Sequence, residues 1–255
     1  MVHFVGAGSG AADLITVRGH KLLTEADVII YAGSLVNPEH LEIAKLGCEI
    51  HDSASMTLEE VIEVMKRAEG EGKMTVRLHT GDPSIYGAIR EQMDLLDAEG
   101  IHYDVVPGVS SAFGAAAALK AEYTLPDVSQ TVIITRMAGR TPVPEKEEIS
   151  LLATHQATMV IFLSTGLLEP LRERLLAGGY QKDTPAAIVY KATWPDEKVF
   201  RGTVDTLPQI AKENGITKTA LILVGDFLGD SYERSKLYDP AFTHEFREAS
   251  IGNDR

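Results

Sequence analysis

The sequence predicts an α/β protein of two domains. Short apolar runs alternate with segments of helical spacing along most of the chain. That alternation breaks once, over residues 121–130, where AEYTLPDVSQ carries a proline and no clear period. The length of 255 residues and a hydrophobic content of 44% suffice for two cores of ordinary size. The expected division is an N-terminal α/β domain over 1–121, a C-terminal α/β domain over 122–229, and a polar tail over 230–255 that frays.

In the first domain, residues 2–5 form an apolar strand that ends in the glycine loop Gly6-Ala7-Gly8-Ser9-Gly10-Ala11. Asp13 is expected to cap a helix running to about residue 24. Strands follow at 27–31 and 49–51. Thr57 opens a helix to about residue 69, with Glu60 at capping-box spacing. The run 73–78 is a buried strand that leads into His79-Thr80-Gly81-Asp82-Pro83, and 88–99 has helical spacing. Residues 103–106 are a strand ending in Pro107-Gly108-Val109-Ser110-Ser111, before a small-residue helix over 112–121. Because helices separate the strands, the sheet is expected to be mostly parallel. The second series places strands at 131–135, 157–163, 185–191, 199–204 and 219–224, and helices at 145–155, 168–176 and 207–214.

Composition narrows the function. With 24 basic and 37 acidic residues the net charge is −13, which disfavours nucleic acid and anionic membranes but leaves room for a local basic pocket. Cys48 is the single cysteine, so no intrachain disulfide and no cysteine-based zinc site is expected, and no metal site is assigned. No run of 18 apolar residues occurs, and the chain is expected to be cytoplasmic.

Five segments carry chemistry, each with a plainer reading beside it. Gly6-x-Gly8-x-x-Ala11 fits the dinucleotide fingerprint, but the second strand ends Tyr31-Ala32-Gly33 without the acid that would hold a ribose. A simple strand–helix turn explains those glycines better than a nicotinamide site does, and a third reading is that they let another ligand approach the backbone. In the loop after the fourth strand, Gly81 lets a ligand approach the main chain, Pro83 suits the first turn of a helix, and Asp82 is either a cap or a ligand contact. Ser110 and Ser111 open a helix N-terminus, which suits a polar group or a serine cap. Arg136 and Arg140, four apart in a Gly/Pro loop, could clamp carboxylates or be a solvated loop. Trp194, after Lys191 in the run YKATWPDE, could line a cavity or plug a core.

The segments GAGSGAADLITVRG, YAGSLV, VRLHTGDPSIYGAI, VVPGVSSAFGAAAA, ITRMAGRTPVPE and YKATWPDEKV, in that order, resemble the tetrapyrrole (corrin/porphyrin) methylase family. They are most similar to its cobalamin-biosynthetic branch acting on precorrin-4 or cobalt-precorrin-4 at C-11. The resemblance implies a homodimer with a mixed sheet in its second domain. It also implies S-adenosylmethionine as cofactor, in a cleft between the domains, and a tetrapyrrole substrate beneath the first glycine loop. By resemblance the cofactor is held by Gly81, Asp82, Ile85, Tyr86, Ser110, Ser111 and Ala112, with Met137, Leu163, Ala192 and Ala220 from the second domain. Gly8, Arg90, Arg136, Arg140 and Lys191 are the substrate candidates, Asp82 and Arg140 the catalytic ones, and His79 or Asp82 a conceivable proton acceptor.

Two departures stand out. Ser9 and Ala11-Ala12 replace the proline and Asp-Pro common in the family, so this loop is expected to be looser. Ala88 stands where the sirohaem branch has arginine, which counts against that reaction. The alternatives are a precorrin methylase of other regiochemistry, the branch acting on modified elongation factor, a nicotinamide-dependent oxidoreductase, or a non-catalytic ligand sensor.

Overall fold

The computed structural model describes residues 1–250, the Ser34 side chain excepted. Contacts divide the chain into two compact units, Met1–Ala118 with Lys191–Lys198, and Leu119–Tyr190 with the remainder from Val199. The segment Lys191–Lys198 is therefore grouped with the first unit, although it joins two strands of the second.

The first unit is a five-stranded sheet in the order β3-β2-β4-β1-β5, and every pairing is parallel. Its strands are β1 (Val2–Gly6), β2 (Val28–Tyr31), β3 (Glu49–Asp52), β4 (Thr75–His79) and β5 (Tyr103–Val106). The helices are α1 (Val17–Glu25), α2 (Glu39–Glu42), α3 (Leu58–Gly70), α4 (Ile89–Ala98) and α5 (Ser111–Leu119). β1 and β4 are buried at every residue, as expected of inner strands covered on both faces. One cluster, with Phe4, Ile30, Met65 and Leu96, lies under α3 and α4; a second is built on Val5, Leu23, Ile29 and Leu78. The expected capping box at α3 is present, with Thr57 N donating to Glu60 (2.7 Å) and Glu60 N to the Thr57 hydroxyl (3.3 Å).

This order has one consequence for function. β4, β1 and β5 are adjacent, so the loops that leave their C-terminal ends meet at one edge of the sheet.

The second unit is a mixed sheet in the order β6-β7-β10-β8-β9. Its strands are β6 (Val132–Arg136), β7 (Thr158–Phe162), β8 (Pro185–Tyr190), β9 (Lys198–Thr203) and β10 (Ala220–Val224). β6 and β7 are parallel, whereas β10 runs antiparallel to both β7 and β8. The core, with Met159, Ile161, Ile188 and Ile222, is closed by α6 (Ile149–Ala153), α7 (Leu168–Ala177) and α8 (Leu207–Glu213).

Three local expectations are corrected. The first helix does not start at Asp13, which lies in a short 3-10 turn (Ala12–Leu14); Thr16 caps α1 instead, its hydroxyl accepting from Gly19 N (3.1 Å). Pro83 does not open α4, which begins at Ile89. Residues 82–85 form an Asx turn in which Ser84 N donates to Asp82 Oδ1 (2.8 Å). The expected helix over 145–155 is a 3-10 turn followed by the short α6, because Glu148 stays extended and its carboxylate caps Ser150 N (2.7 Å).

Within the tail, the Arg247 guanidinium donates to the carbonyls of Leu237 (2.8 Å) and Asp239 (2.6 Å). Residues 251–255 of the expected tail lie outside the described residues. Among the described residues no helix is long and apolar enough to cross a membrane.

Candidate functional site

The edge formed by β1, β4 and β5 is knitted together through three glycines. A Cβ on Gly6 would stand 2.6 Å from both Gly108 Cα and the Gly81 carbonyl oxygen. One on Gly108 would meet that same oxygen, and Gly6 Cα at 2.7 Å. The main chains of three loops thus touch with no side chain between them. Gly8 and Gly81 complete the join by exchanging hydrogen bonds, Gly81 N to Gly8 O at 2.8 Å and Gly8 N to Gly81 O at 3.2 Å.

The first glycine loop is correspondingly fixed, which corrects the expectation of a looser one. Ser9 replaces the family's proline, but its hydroxyl pairs with Thr193 Oγ1 (2.9 Å), which also accepts from Ala11 N (3.1 Å). Asn37 donates to the Gly10 carbonyl (2.9 Å), and Gly10 lies so close under the Trp194 ring that a Cβ would collide with it. Trp194 therefore plugs the loop, the plainer of its two readings. A Cβ at Gly6, Gly8 or Gly10 would meet protein atoms at 2.9 Å or less, including the Leu14 carbonyl at Gly8, so these glycines serve close packing of the loop. Gly8 has its N–H engaged by Gly81 and its carbonyl accepting one hydrogen bond from it.

Asp82 is the clasp between two loops. Its Oδ1 accepts from the Ser84 hydroxyl and main chain, and its Oδ2 from Gly108 N (2.8 Å). Burial pushes its pKa up, but the Ser84 hydroxyl, Gly108 N–H and Ser84 N–H outweigh that and hold it below the usual carboxylate value. Held as a carboxylate, Asp82 ties its own loop to the one that carries Gly108. Gly81 adopts φ +61° with only Ser110 Cα and Ser111 N at 3.6 Å, a main-chain cradle of the kind a ligand can enter. Ile85 is half-buried, and Tyr86, at φ 55°, is exposed on the same loop. Across the edge Ser110 is buried and accepts from Ala112 N (3.3 Å), so it is the serine cap, while Ser111 is half-buried.

His79 is buried beside Phe4, ring centroids 6.0 Å apart, and its Nε2 has no hydrogen-bond partner among the described residues. Burial, reinforced by the positive charge of Arg77, lowers its pKa to about 3. It is neutral at physiological pH. The folded value lies below the unfolded one of 6.5, so above pH 6.5 the group has no effect on stability. As pH falls from 6.5 toward 3 the unfolded chain takes up the proton first, and folding weakens by at most about 1.4 kcal/mol per unit. Urea titrations from pH 7 to pH 4.5 are expected to show this slope reduced in His79→Gln; an unchanged slope would refute the assignment.

The basic candidates separate sharply. Arg136 spends its guanidinium on its own loop, donating to the carbonyls of Met137 (3.2 Å), Thr141 (3.2 Å) and Pro142 (2.7 Å). Arg90 is 84% exposed and pairs with Asp94 at 2.7 Å on α4. Lys191 pairs with Asp196 at 2.7 Å and lies over the Trp194 ring. Arg140 is exposed and makes no hydrogen bond or ion pair among the described residues. It is the one predicted substrate cation with all its donors free.

In the second unit, Met137, Leu163 and Ala220 converge because of chain direction. β6 and β7 end where the antiparallel β10 begins. Ser164, fully buried, accepts from Met137 N (2.9 Å) and donates to Phe162 O (2.7 Å), while Thr165 donates to Ala220 O (3.0 Å). Between them Leu163 is held at φ 52°, its side chain 68% exposed. Ala192 is grouped with the first unit, buried, its carbonyl against Gly10. Sequence reasoning missed Ser164, Thr165, Asn37, Thr193 and Gln92. Only Gln92 left a signal, a polar residue on the apolar stripe of Ile89, Met93 and Leu96.

Residues 1–208 match the family described as Tetrapyrrole (Corrin/Porphyrin) Methylases. The chain is 56% identical to a cobalt-precorrin-4 C(11)-methyltransferase of Methanocaldococcus jannaschii, over 97% of this chain and 96% of that protein. It is 44% identical to a precorrin-4 C(11)-methyltransferase of Mycobacterium tuberculosis, over 94% and 96%. An X-ray structure of a cobalamin biosynthetic enzyme, cobalt precorrin-4 methyltransferase, superposes with a TM-score of 0.88 at 51% identity, covering 90% of this chain and 96% of that one. With a parallel first sheet, a mixed second sheet and this match over most of its length, the chain belongs to the tetrapyrrole (corrin/porphyrin) methylase family.

Proposed function

We propose that this chain is an S-adenosylmethionine-dependent C-methyltransferase that acts on a corrin precursor, cobalt-precorrin-4 or precorrin-4, at C-11 in cobalamin biosynthesis. The near-full-length similarity to enzymes of that name carries the reading. The higher identity to the cobalt-substrate relative favours the cobalt form. The cytoplasm and a homodimer belong to the same proposal.

Two features of the loop after β4 support the cofactor reading. Gly81 offers a main-chain cradle free of Cβ, and Tyr86 offers an exposed aromatic face on the same loop. Gly81, Asp82, Ile85, Tyr86, Ser110, Ser111 and Ala112 are the proposed first-unit set. Met137, Leu163, Ala192 and Ala220 enter it by resemblance. When bound, S-adenosylmethionine supplies a sulfonium methyl whose departure leaves neutral sulfur. The protein's work is then to align donor and acceptor, exclude water and neutralise substrate carboxylates. The saturated Asp82 and the neutral His79 accord with a reaction that needs no strong acid. Arg140 is the proposed carboxylate anchor; Arg90, Arg136, Lys191 and Gly8 are secondary to it because each already makes an ion pair or hydrogen bond within the protein.

Calorimetry with S-adenosylhomocysteine is expected to show binding, and NAD none. Incubation with S-adenosylmethionine and cobalt-precorrin-4 is expected to yield S-adenosylhomocysteine and a product one methyl heavier at C-11. Binding of NAD alone, or methylation at another carbon, would overturn the reading.

A further inference from the structure

Arg77 is a cation inside the first unit with no anion beside it. It lies on β4, 6% exposed, and forms no ion pair among the described residues. Burial lowers its pKa to about 10, so it stays charged at neutral pH. Its Nε donates to Gln92 Oε1 (3.1 Å) and its Nη1 to the Ile30 carbonyl (3.2 Å). Gln92, 5% exposed on α4, donates its Nε2 to the Ala88 carbonyl (3.0 Å). A guanidinium can only donate, so the Gln92 oxygen must face Arg77, and the amide nitrogen is turned toward Ala88.

Ala88 is the other end of that contact. It sits at φ 49°, ψ 36°, at the start of α4, with no side-chain cap. Tyr86 is also left-handed at φ 55°, and Gly87 between them presses on the Pro83 carbonyl with no room for a Cβ. Left-handed alanine and tyrosine are unfavourable and persist only where neighbours hold them. The loop over 81–88 is held at its entry by Gly8 and in its middle by Asp82 on Gly108. Gln92 holds its exit.

We propose that Gln92 is a positioning residue of the cofactor loop: oriented by buried Arg77, its amide pins the Ala88 carbonyl and so fixes the left-handed Tyr86–Gly87–Ala88 turn that presents Tyr86. The proposal rests on the reading of this loop as the S-adenosylmethionine site.

Gln92→Glu separates this task from stability. Glutamate keeps an acceptor for Arg77 and gives that buried cation an anion, but it cannot donate to Ala88. S-adenosylhomocysteine affinity in calorimetry is expected to fall about tenfold, a change of about 1.4 kcal/mol. The tetrapyrrole KM at saturating cofactor is expected to stay within about twofold, and the melting temperature to stay level or rise. A filler of scaffold would instead leave affinity unchanged at unchanged stability, and that result overturns the proposal. Should Gln92→Glu not fold, Gln92→Met, which removes both bonds at similar volume, is measured well below its own melting temperature. Wild-type affinity in folded Gln92→Met also overturns it. Gly81→Ala serves as the control on the underlying reading. If Gly81→Ala weakens S-adenosylhomocysteine binding and the Gln92 variants do not, the Gln92 inference alone fails; if none of them affects binding, the loop assignment fails with it.

Discussion

Arg140→Ala is expected to raise the KM for the tetrapyrrole by roughly 10- to 150-fold, the equivalent of charge-assisted hydrogen bonds worth about 1.5–3 kcal/mol. S-adenosylhomocysteine affinity should stay within about twofold. The protein carries a net charge of −13 and its substrate carries many carboxylates, so at least one cation must be free to receive them. Three of the four basic candidates are already paired or hydrogen-bonded, whereas Arg140 is not. Arg140→Lys should recover part of the loss, because an ammonium restores charge but not the planar fork of donors. Steady-state kinetics with either substrate varied, joined to calorimetry, makes the measurement. Equal losses for substrate and cofactor, or no loss, would remove Arg140 from the substrate site.

Gly108→Ala is expected to be strongly destabilising, costing on the order of 3 kcal/mol. The added carbon would run into the Gly81 carbonyl and stand 2.7 Å from Gly6 Cα, and main chain cannot swing aside as a flexible side chain can. Any relief by movement draws Gly108 N away from Asp82 Oδ2 and leaves that carboxylate short of a donor. Cofactor affinity should therefore fall with stability. Gly70→Ala is the control: a Cβ there meets nothing within 4 Å at the end of α3, and the substitution should be neutral or slightly stabilising. Urea melts of the two variants decide the matter, and a Gly108→Ala protein as stable as wild type would refute the close packing.

The fold was legible because period and punctuation are local properties. Residues 103–106, a short apolar-rich run closed by Pro107-Gly108, form the strand Tyr103–Val106, and the Thr57–Glu60 spacing yields the capping box it implies. Local rules failed where a neighbour competed for the same role. Thr16 is a cap in its own right and took the helix start from Asp13; Glu148 did the same within the stretch 145–155. The direction of β10 follows from how the chain enters the sheet, which the residues 219–224 do not encode themselves.

The candidate site was legible as a set of loops but not as a set of bonds. Glycines at strand ends mark a place of close approach, yet the pattern does not say whether the visitor is a ligand or another strand's backbone. Here Gly6 and Gly108 serve backbone, and Gly81 retains a cradle. Arg136 and Arg140 are alike in sequence, but the partners that occupy one and leave the other free are carbonyls whose positions depend on the folded loop. Thr193 could not have been found, since its partner Ser9 stands 184 residues earlier.

That separation governs how the protein is made. The first glycine loop is synthesised well before Thr193 and Trp194, which follow only after residues 119–190 of the second unit. Until then Gly10 lacks its indole cover and the Ser9 hydroxyl lacks its mate, so the loop can be sealed only after synthesis has passed residue 194. A fragment cut after residue 118 would keep every strand of that sheet yet display an unsealed loop, and should be far more prone to proteolysis and aggregation than its apolar core suggests.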